Sequence, residues 1–404
     1  MKHEILVTSD FDGGNGRMRG KPKVESGVAH VDVAITPDPY TDTDKCAHYQ
    51  WFNFRLANLH SVSRVVINVV NAGGASYTDG WINYNACYSF NRNDWLRAQE
   101  TTYGDGVLSI PISLPEGMTQ VQVAYFAPYS QERHFDLIAT SAAHPRCRHE
   151  TLGHTLDGAP MDLLVINGES ASSTAVAAAE KKKTKKNVWV IARQHPGETM
   201  AEFFMEGFLE RILDTNDPIA RELLKHATVY AVPNMCPDGA RRGHLRTNAA
   251  GTNLNREWAK TDMQRCPEVS LVLAAMDAYG VDGLIDVHGD EALPYNFISG
   301  MEGCPCWNEH FEKLQADFLQ SYCAASPDFQ TKFGYDIDKP GMANLNIGSN
   351  GVAERFKCLS LTLEMPFKDT ADDPEPVRGW SPQRCATLGA ALLNPLVDVV
   401  HRLR

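Results

Sequence analysis

The stretch Val188-Trp-Val-Ile-Ala192, followed by Arg193-Gln-His-Pro-Gly-Glu198, decides the fold of this chain. Its first five residues are apolar and mostly β-branched or aromatic, which is typical of a buried strand. From Thr199 to Leu213 the apolar residues recur at helical spacing, so we expect a helix directly after the turn. A strand that leads through a tight turn into a helix is the repeating unit of α/β folds.

The later part of the chain repeats the strand pattern in three places: Thr228–Val232, Leu284–Val287 and Leu359–Leu363. Strands that alternate with helices form a sheet with a largely parallel core. We therefore expect a mixed-sheet α/β domain over residues 127–404.

The first third of the chain has a different pattern, with short β-branched and aromatic segments separated by glycine-rich and proline-rich turns. These segments are Val28–Ile35, Trp51–Leu56, Val65–Val70 and Val121–Phe126. Many short strands at this spacing are typical of a sandwich, so we expect an antiparallel β-sandwich over residues 1–126. Two domains also suit a chain of 404 residues, since single cores usually stop growing before that size.

The charge and composition exclude several classes of function. A formal net charge of −12 argues against non-specific nucleic-acid binding, which needs a basic surface. One basic run, Lys181–Lys186, is interpreted as a solvated loop, with a docking patch for acidic tails as the alternative. No apolar run is long enough to cross a membrane, and residues 1–10 lack the apolar core of a secretory signal. We therefore expect a cytoplasmic protein whose ten cysteines are reduced thiols.

Polar residues follow three of the predicted strands where each strand ends. His195 and Glu198 follow the first strand, His288 follows the third, and Glu364 ends the fourth. Ligands of open α/β sheets bind outside the carboxyl ends of the strands, so these side chains are expected to meet. A catalytic zinc takes three protein ligands and leaves one position open, and we assign His195, Glu198 and His288 to one zinc ion per chain.

Each of these assignments has a simpler alternative. Glu198 alone would also suit the N-terminus of the following helix, where acidic residues are favourable. Glu364 ends an apolar strand, where an unpaired buried charge is costly, so a structural salt bridge is the alternative there. Beside a metal, Glu364 would act as the general base for a water molecule and then protonate the leaving amine.

The segment from Pro233 to Trp258 is a long loop rich in glycine, asparagine and arginine, and long loops in compact domains are usually functional. Arg246 is a candidate for stabilising the oxyanion of a tetrahedral intermediate. Asn255 and Arg256 are candidates for binding a terminal carboxylate, which the guanidinium geometry suits. The alternative is that these arginines only neutralise an acidic surface.

Ordered motifs in this chain resemble those of zinc metallocarboxypeptidases of the carboxypeptidase A type, and more narrowly the cytosolic carboxypeptidase subfamily. The motifs are His195-Pro-Gly-Glu198, Pro237-Asp-Gly239, Leu254-Asn-Arg-Glu-Trp258, Asp286-Val-His-Gly289 and Thr362-Leu-Glu-Met365. Phe11–Asn15 and Tyr49–Arg55 resemble the β-sandwich that precedes the catalytic domain in that subfamily, and Ala127–His134 resembles the start of that domain. The resemblance implies the same roles for the three zinc ligands, Glu364, Arg246, Asn255 and Arg256.

Two positions depart from the family pattern. The family commonly has aspartate where this chain has Asn253, so a negative charge beside the site is missing. The family's flexible substrate-capping tyrosine has Tyr335 as its candidate here, although a packed aromatic is the alternative.

The resemblance implies a peptide or protein C-terminal tail as the substrate, with no nucleic-acid or membrane partner, and suggests the sandwich as a candidate protein-interaction module. Some eukaryotic members remove glutamates from tubulin tails, which requires a basic residue in the specificity pocket. The candidates between His288 and Glu364 are Lys332, Lys339, Arg355 and Lys357. Two other functions remain open: a zinc amidohydrolase acting on N-acyl or γ-glutamyl amino acids, and a non-enzymatic binding protein.

Overall fold

The computed structural model describes residues 4–41, 48–168 and 185–404. Most of the basic run, residues 181–184, lies outside the described residues, and so does the solvated loop predicted there. None of the described helices is both long and apolar enough to cross a membrane.

The described residues of the N-terminal part form a sandwich of two five-stranded sheets. In chain order its strands are β1 (Leu6–Thr8), β2 (Arg17–Glu25), β3 (Val28–Ala34), β4 (Asn53–Ala57), β5 (Arg64–Val69), β6 (Cys87–Ser89), β7 (Leu96–Arg97), β8 (Thr102–Gly104), β9 (Val107–Ser113) and β10 (Gln120–Ala124). One sheet has the order β1-β4-β10-β6-β7 and the other β2-β3-β5-β9-β8. The predicted sandwich is therefore confirmed.

One strand pair of the sandwich is parallel, whereas an antiparallel arrangement was expected throughout. Strands β3 and β5 run in the same direction, with Val31 opposite Ile67. Between them the chain crosses to the other sheet to form β4 and then returns, so it enters β5 in the direction in which it entered β3. The remaining pairs among the described sandwich strands are antiparallel.

The second part is built on a seven-stranded mixed sheet, as predicted. Its strands are β11 (Cys147–His154), β12 (Pro160–Ile166), β13 (Lys186–Ala192), β14 (Ala227–Val232), β15 (Gly283–Asp290), β16 (Phe297–Ser299) and β17 (Leu359–Pro366). The sheet order is β11-β12-β14-β13-β15-β17-β16. Its four central strands, β14, β13, β15 and β17, are parallel, while β11, β12 and β16 pair antiparallel at the two sides.

Helices cover both faces of this sheet. They are α1 (Gln131–Ala142), α2 (Met200–Leu213), α3 (Pro218–His226), α4 (Pro237–Arg242), α5 (Pro267–Tyr279), α6 (Glu309–Ala325), α7 (Gly348–Phe356), α8 (Pro382–Ala391) and α9 (Leu393–Val399). Alternate residues of β13 explain the two layers: Val188 and Val190 join the core under α2 and α8, while Trp189 and Ile191 join the core under α5. The central strands are buried on both faces, which is why they are apolar without alternation.

The sandwich and the α/β part share one apolar core. Tyr125 at the end of the last sandwich strand stacks on Phe367, which follows β17, with 4.4 Å between the ring centroids. The buried Arg97 of β7 donates hydrogen bonds to the carbonyl oxygens of Phe367 (2.9 Å) and Trp380 (2.8 Å). These contacts lie on the side of the sheet that α2 and α8 cover.

The structure differs from the sequence-based expectations at three places in the second part of the chain. The segment from Pro233 to Trp258 is less irregular than expected, because it contains α4 and a short 3-10 helix, Leu254–Arg256. His288 lies inside β15 rather than after it, and β17 continues past Glu364 to Pro366.

Candidate metal centre and substrate cleft

A strained turn after β13 delivers two of the three predicted metal ligands. Arg193 has φ of +58°, in the left-handed region that bulky residues rarely adopt. Its buried guanidinium donates to the carbonyl oxygen of Pro196 (2.9 Å) and forms an ion pair with Glu202 of α2. These contacts hold the turn, so that His195 and Glu198 project from it just before α2 begins.

The third predicted ligand and the predicted base come from neighbouring strands. His288 of β15 and Glu364 of β17 are direct partners in the parallel ladder. The residues before them, Val287 and Leu363, both pack into the core under α2. Since side chains alternate along a strand, His288 and Glu364 project together on the opposite face.

The side chains of His195, Glu198 and His288 converge, with ligand atoms within 4.8 Å of one another. The two imidazole Nδ1 atoms are 3.3 Å apart. The Glu198 carboxylate lies against both, with Oε1 2.6 Å from Nδ1 of His195 and Oε2 2.9 Å from Nδ1 of His288.

Two histidines and one glutamate form a donor set that catalytic zinc uses. Zinc–nitrogen bonds of about 2.0–2.1 Å in a tetrahedron place two nitrogens about 3.3–3.4 Å apart, which matches the spacing of the two Nδ1 atoms. The residues present therefore fit a zinc ion.

Different partners orient the two imidazole rings from behind. Nε2 of His195 donates to Oδ1 of Asn253 (3.1 Å), and Nε2 of His288 lies 3.1 Å from Oδ1 of Asp286. Such partners fix the tautomer, leaving Nδ1 free to bind a metal. Asp286 was not among the residues predicted for the site, although a carboxylate in an apolar strand, two residues before His288 and on the same face, indicates such a partner.

Burial and neighbouring charges set the protonation of the site. Burial, with the charge of Arg246, lowers the pKa of His195 to about 3, so this imidazole is neutral and able to bind a metal. Burial also lowers the pKa of His288, but the carboxylates of Asp286 and Glu198 raise it well above its usual value. A metal ion would therefore displace a proton from His288 on binding.

Glu364 is 8% exposed and lines the same cleft. Its Oε2 atom is buried without a hydrogen-bond partner among the described residues. Burial raises the pKa of its carboxyl group well above the usual range. The positive charge of a bound zinc ion would favour the ionised form of Glu364, whose Oε2 atom, without a competing donor, would then be available to a water molecule in the cleft.

The cleft has a volume of about 880 Å³. Seven of the eight predicted site residues line it, namely His195, Glu198, Arg246, Asn255, Arg256, Tyr335 and Glu364. The eighth, His288, is buried directly behind the surface of the cleft. The structure thus brings the whole predicted set together.

The predicted substrate-binding residues differ in how far they are already engaged. Burial, followed by the charge of Arg246, lowers the pKa of Arg256, so the two guanidiniums concentrate positive charge in one region. Asn255 is more constrained, since its Oδ1 accepts a hydrogen bond from the backbone nitrogen of Gly348 (2.7 Å). Its amide nitrogen lies 3.5 Å from Nε2 of His288.

Tyr335 lies at the mouth of the cleft and is 47% exposed. Its hydroxyl donates to Oδ2 of Asp290 (2.6 Å), and its ring meets the edge of Phe297 with 4.9 Å between centroids. The side chain of Tyr335 is therefore held by one hydrogen bond and one ring contact, but it is not buried in the core.

Among the basic candidates for the specificity pocket, Lys332 lines the cleft. Arg355 forms an ion pair with Asp277, and Lys357 with Glu354, both at exposed sites. Acidic residues also line the cleft beyond the metal ligands, among them Glu291 and Glu302. One wall comes from the sandwich: Tyr77 lines the cleft, and nothing in its sequence context indicated that position.

The fold and the site define the chain as a zinc-dependent hydrolase of the carboxypeptidase fold, and comparison with known proteins narrows this. Residues 7–126 match the cytosolic carboxypeptidase N-terminal domain, and residues 136–276 match the zinc carboxypeptidase family. A metallo-carboxypeptidase from Burkholderia cenocepacia is 40% identical, with 98% of each chain covered and a TM-score of 0.87. The chain belongs to the zinc carboxypeptidases, as a member that carries the N-terminal domain of the cytosolic carboxypeptidases.

Two other relatives agree with this membership. The metallo-carboxypeptidase from Pseudomonas aeruginosa, solved in complex with (2-guanidinoethylmercapto)succinic acid, is 36% identical over 99% of this chain and 100% of that one, with a TM-score of 0.90. Cytosolic carboxypeptidase 6 of Mus musculus is 26% identical over 91% of this chain and 67% of the mouse protein. The predicted family and enzyme class, a metallocarboxypeptidase, are therefore confirmed.

Proposed function

We propose that this enzyme removes the C-terminal residue of peptides or protein tails, with His195, Glu198 and His288 as zinc ligands and Glu364 as general base. The observation that carries the proposal is the shared cleft. The converged His–Glu–His set lies there with two guanidiniums and with Glu364, whose Oε2 atom has no hydrogen-bond partner among the described residues. Zinc bound by these three residues would lower the pKa of a water molecule towards neutrality and polarise the scissile carbonyl.

The chain's own groups then have complementary tasks. Glu364 accepts the proton of the attacking water through its free Oε2 atom and passes it to the leaving amine nitrogen. Arg246 stabilises the oxyanion that develops on the scissile carbonyl. Arg256, with the amide of Asn255, binds the terminal carboxylate and so selects the last residue of a chain.

Tyr335 is proposed to cover the bound C-terminal residue. Its exposed position at the cleft mouth supports this role, since the ring needs only to exchange the hydrogen bond with Asp290 for one with the substrate.

We propose that the enzyme prefers glutamate as the C-terminal residue that it removes. Lys332 in the cleft supports it. The ligand of the Pseudomonas relative carries two carboxylates and a guanidine group, so it does not decide between an acidic and a basic side chain. Glu302, Asp336 and Asp338 line the same cleft and favour a basic side chain instead. A release assay on peptides that differ only in a C-terminal glutamate, lysine or leucine separates the two outcomes.

The amidohydrolase alternative is less well supported. Two relatives covered almost end to end are metallo-carboxypeptidases, and the sandwich that forms one wall of the cleft matches the cytosolic carboxypeptidase N-terminal domain. Peptides and N-acyl amino acids compared in one assay discriminate between the two activities.

We also propose a division into a sandwich domain, residues 1–126, and a catalytic domain, residues 127–404. The match of the N-terminal family to residues 7–126 supports this division. A cytoplasmic location is proposed on the family name and on the nine described cysteines, which are free thiols. The protein-interaction role of the sandwich stays a prediction.

The substitution Glu364→Gln tests the general base. We expect kcat for C-terminal residue release to fall about 100-fold or more, because the amide cannot accept the proton. Zinc content should stay near one ion per chain, since Glu364 is not among the three ligands. Glu309→Gln, at an exposed helix start, is the matched control and should behave as wild type. A Glu364→Gln enzyme with full activity would exclude this role.

A further inference from the structure

We propose that the sandwich domain contributes directly to the active site. Asp38 is a positioning residue for the backbone of Arg246, and the ring of Tyr77 packs against the guanidinium of Arg246. The proposal rests on the proposed role of Arg246 in catalysis. It assigns the sandwich a function within the enzyme, which does not require a separate protein partner.

Asp38 lies in the sandwich part of the chain, but its carboxylate is used by the catalytic part. Oδ1 accepts a hydrogen bond from the backbone nitrogen of Leu245 (2.8 Å). Oδ2 accepts hydrogen bonds from the backbone nitrogens of Arg246 (2.9 Å) and Thr247 (3.0 Å) and from the hydroxyl of Thr247 (3.0 Å). One carboxylate thus binds three consecutive residues, with Arg246 in the middle.

The environment makes this contact strong and specific. Asp38 is 3% exposed, and a buried carboxylate is costly unless hydrogen bonds compensate for the lost water. Four donors fill its acceptor positions, and hydrogen bonds to a charged acceptor are stronger than those between neutral groups. The backbone on either side of Arg246 is therefore held in one position relative to the sandwich.

A second set of contacts holds the start of the same loop. The side-chain amide of Asn15 donates to the carbonyl oxygen of Gly243 (3.1 Å). The backbone nitrogen of Gly13 donates to the carbonyl oxygen of Arg241 (2.9 Å). Gly243 has φ of +71°, and a Cβ atom there would overlap the backbone of Gly14. The loop therefore lies directly against the sandwich from Arg241 to Thr247.

Tyr77 completes the arrangement from the other side of the arginine. The guanidinium carbon of Arg246 lies 5.6 Å from the centre of the Tyr77 ring, a cation–π distance. Gln50, which is fully buried, fixes the backbone of Tyr77 by donating to its carbonyl oxygen (2.9 Å) and accepting from its nitrogen (2.9 Å). The sandwich therefore holds both the backbone and the side chain of Arg246.

This arrangement has a direct catalytic consequence. The metal ligands and Glu364 are positioned by the central sheet, whereas Arg246 is positioned by the sandwich. An oxyanion-stabilising donor acts only when it is already aligned with the developing charge. The packing of the two domains therefore sets the distance between Arg246 and the metal centre.

The substitution Asp38→Asn in the full-length, zinc-loaded enzyme tests the proposal. Its amide nitrogen would face backbone N–H groups, so at least one hydrogen bond to the loop is lost. We expect kcat to fall about 10- to 100-fold, as for other small displacements of a catalytic group, with a smaller change in KM. Asp32→Asn removes the same charge from an exposed position on β3 and is the matched control.

A double-mutant cycle with Arg246→Ala separates positioning from general damage. If Asp38 acts through Arg246, Asp38→Asn should cause no further loss of kcat in the Arg246→Ala background. Equal losses of kcat in both backgrounds, or wild-type kcat in the Asp38→Asn enzyme, would overturn the proposal.

A measurement that does not need activity keeps this proposal distinct from the proposed function. Amide hydrogen exchange at Leu245, Arg246 and Thr247 should be slow in the wild type and at least tenfold faster in Asp38→Asn, with zinc content unchanged. Unchanged protection of these amides would overturn the role of Asp38. If the wild type released no C-terminal residue from any peptide, the proposed function would be wrong. The exchange measurement would still decide whether Asp38 holds the loop.

Discussion

At the scale of single residues, the two imidazoles of the proposed zinc site have different hydrogen-bond partners. Asp286 places a carboxylate beside His288, whereas His195 has the neutral amide of Asn253 at the corresponding place. Partners behind a metal ligand orient the ring, and a charged partner also makes the imidazole a better electron donor. Asn253, where the family commonly has aspartate, therefore still orients the ring of His195 but supplies no negative charge.

Asn253→Asp should therefore increase zinc affinity. Oδ1 of Asn253 accepts hydrogen bonds from His195 and from the backbone nitrogen of Asn255 (3.1 Å), and a carboxylate can accept both. We expect affinity to rise about tenfold, the lower end of the range seen for such partners. Competition with a chelator measures it, with the exposed Asn216→Asp as control. Weaker binding in Asn253→Asp would contradict the orienting role of this residue.

At the scale of elements, α2 and α8 pack closely because each contributes a glycine to the contact. A Cβ atom at Gly207 would overlap the carbonyl oxygen of Ala386, and one at Gly389 would overlap that of Phe204. The two backbones therefore approach each other more closely than larger residues would allow. Because α2 begins just after Glu198, this packing also supports the turn that carries His195 and Glu198, two of the proposed metal ligands.

Gly207→Ala should separate these helices. Overpacking of a close contact costs about 1–3 kcal/mol, which outweighs the better helix propensity of alanine. Urea unfolding measures the change in the free energy of unfolding. Gly104→Ala is the control, because no atom lies within 4 Å of a Cβ added there. Equal stability of the two variants would show that the helix contact adapts without cost.

A buried ion network joins α1 to α2 and β12. Burial lowers the pKa of His134, but hydrogen bonds to Asp162 (3.3 Å) and Glu202 (2.8 Å) outweigh burial and raise it to about 9. His134 is 5% exposed, and Arg193 and His149 face the same carboxylates. The imidazolium is therefore stabilised in the folded state relative to the unfolded chain.

The stability of the protein should therefore depend on pH through His134. The folded pKa lies above the unfolded value of about 6.5, so the contribution is complete below that pH and is lost as pH rises through about 9. Urea unfolding between pH 6.5 and 9.5 should show this decline in wild type and a flatter profile in His134→Gln. The exposed His154→Gln should follow wild type. A His134→Gln profile as steep as wild type would assign the decline to other groups.

At the scale of the whole molecule, the sandwich and the α/β part are joined through a continuous core and buried polar contacts. Besides the stacking of Tyr125 on Phe367, the guanidinium of Arg97 donates to three carbonyl oxygens beyond the sandwich, those of Phe367, Arg378 and Trp380. Separation of the domains would replace these hydrogen bonds by bonds to water and would expose the shared apolar core.

We therefore expect the two domains to unfold in one cooperative transition. A calorimetric scan of the zinc-loaded enzyme should show a single peak, and Arg97→Ala should lower its Tm because the buried carbonyl oxygens of Phe367 and Trp380 lose a charged donor. The exposed Arg92→Ala, which lacks these contacts, is the control for loss of charge. Two well-separated peaks in the wild type would show that the interface does not couple the domains.

The sequence by itself determined the local features of this protein. Apolar periodicity identified the strand, turn and helix from Val188 to Leu213, because burial on both faces selects apolar residues directly. The chemistry of strand ends indicated His195, Glu198, His288 and Glu364, since carboxyl ends of parallel strands meet at one edge.

Tertiary structure alone decided which distant groups act together. The pairing of β3 with β5, the position of Lys332 in the cleft, and the contacts of Asp38 and Tyr77 with Arg246 join residues far apart in the chain. Nothing near Asp38 in the sequence indicates a partner more than two hundred positions later. Such contacts arise from the packing of whole domains, and local periodicity and propensity do not encode where two domains meet.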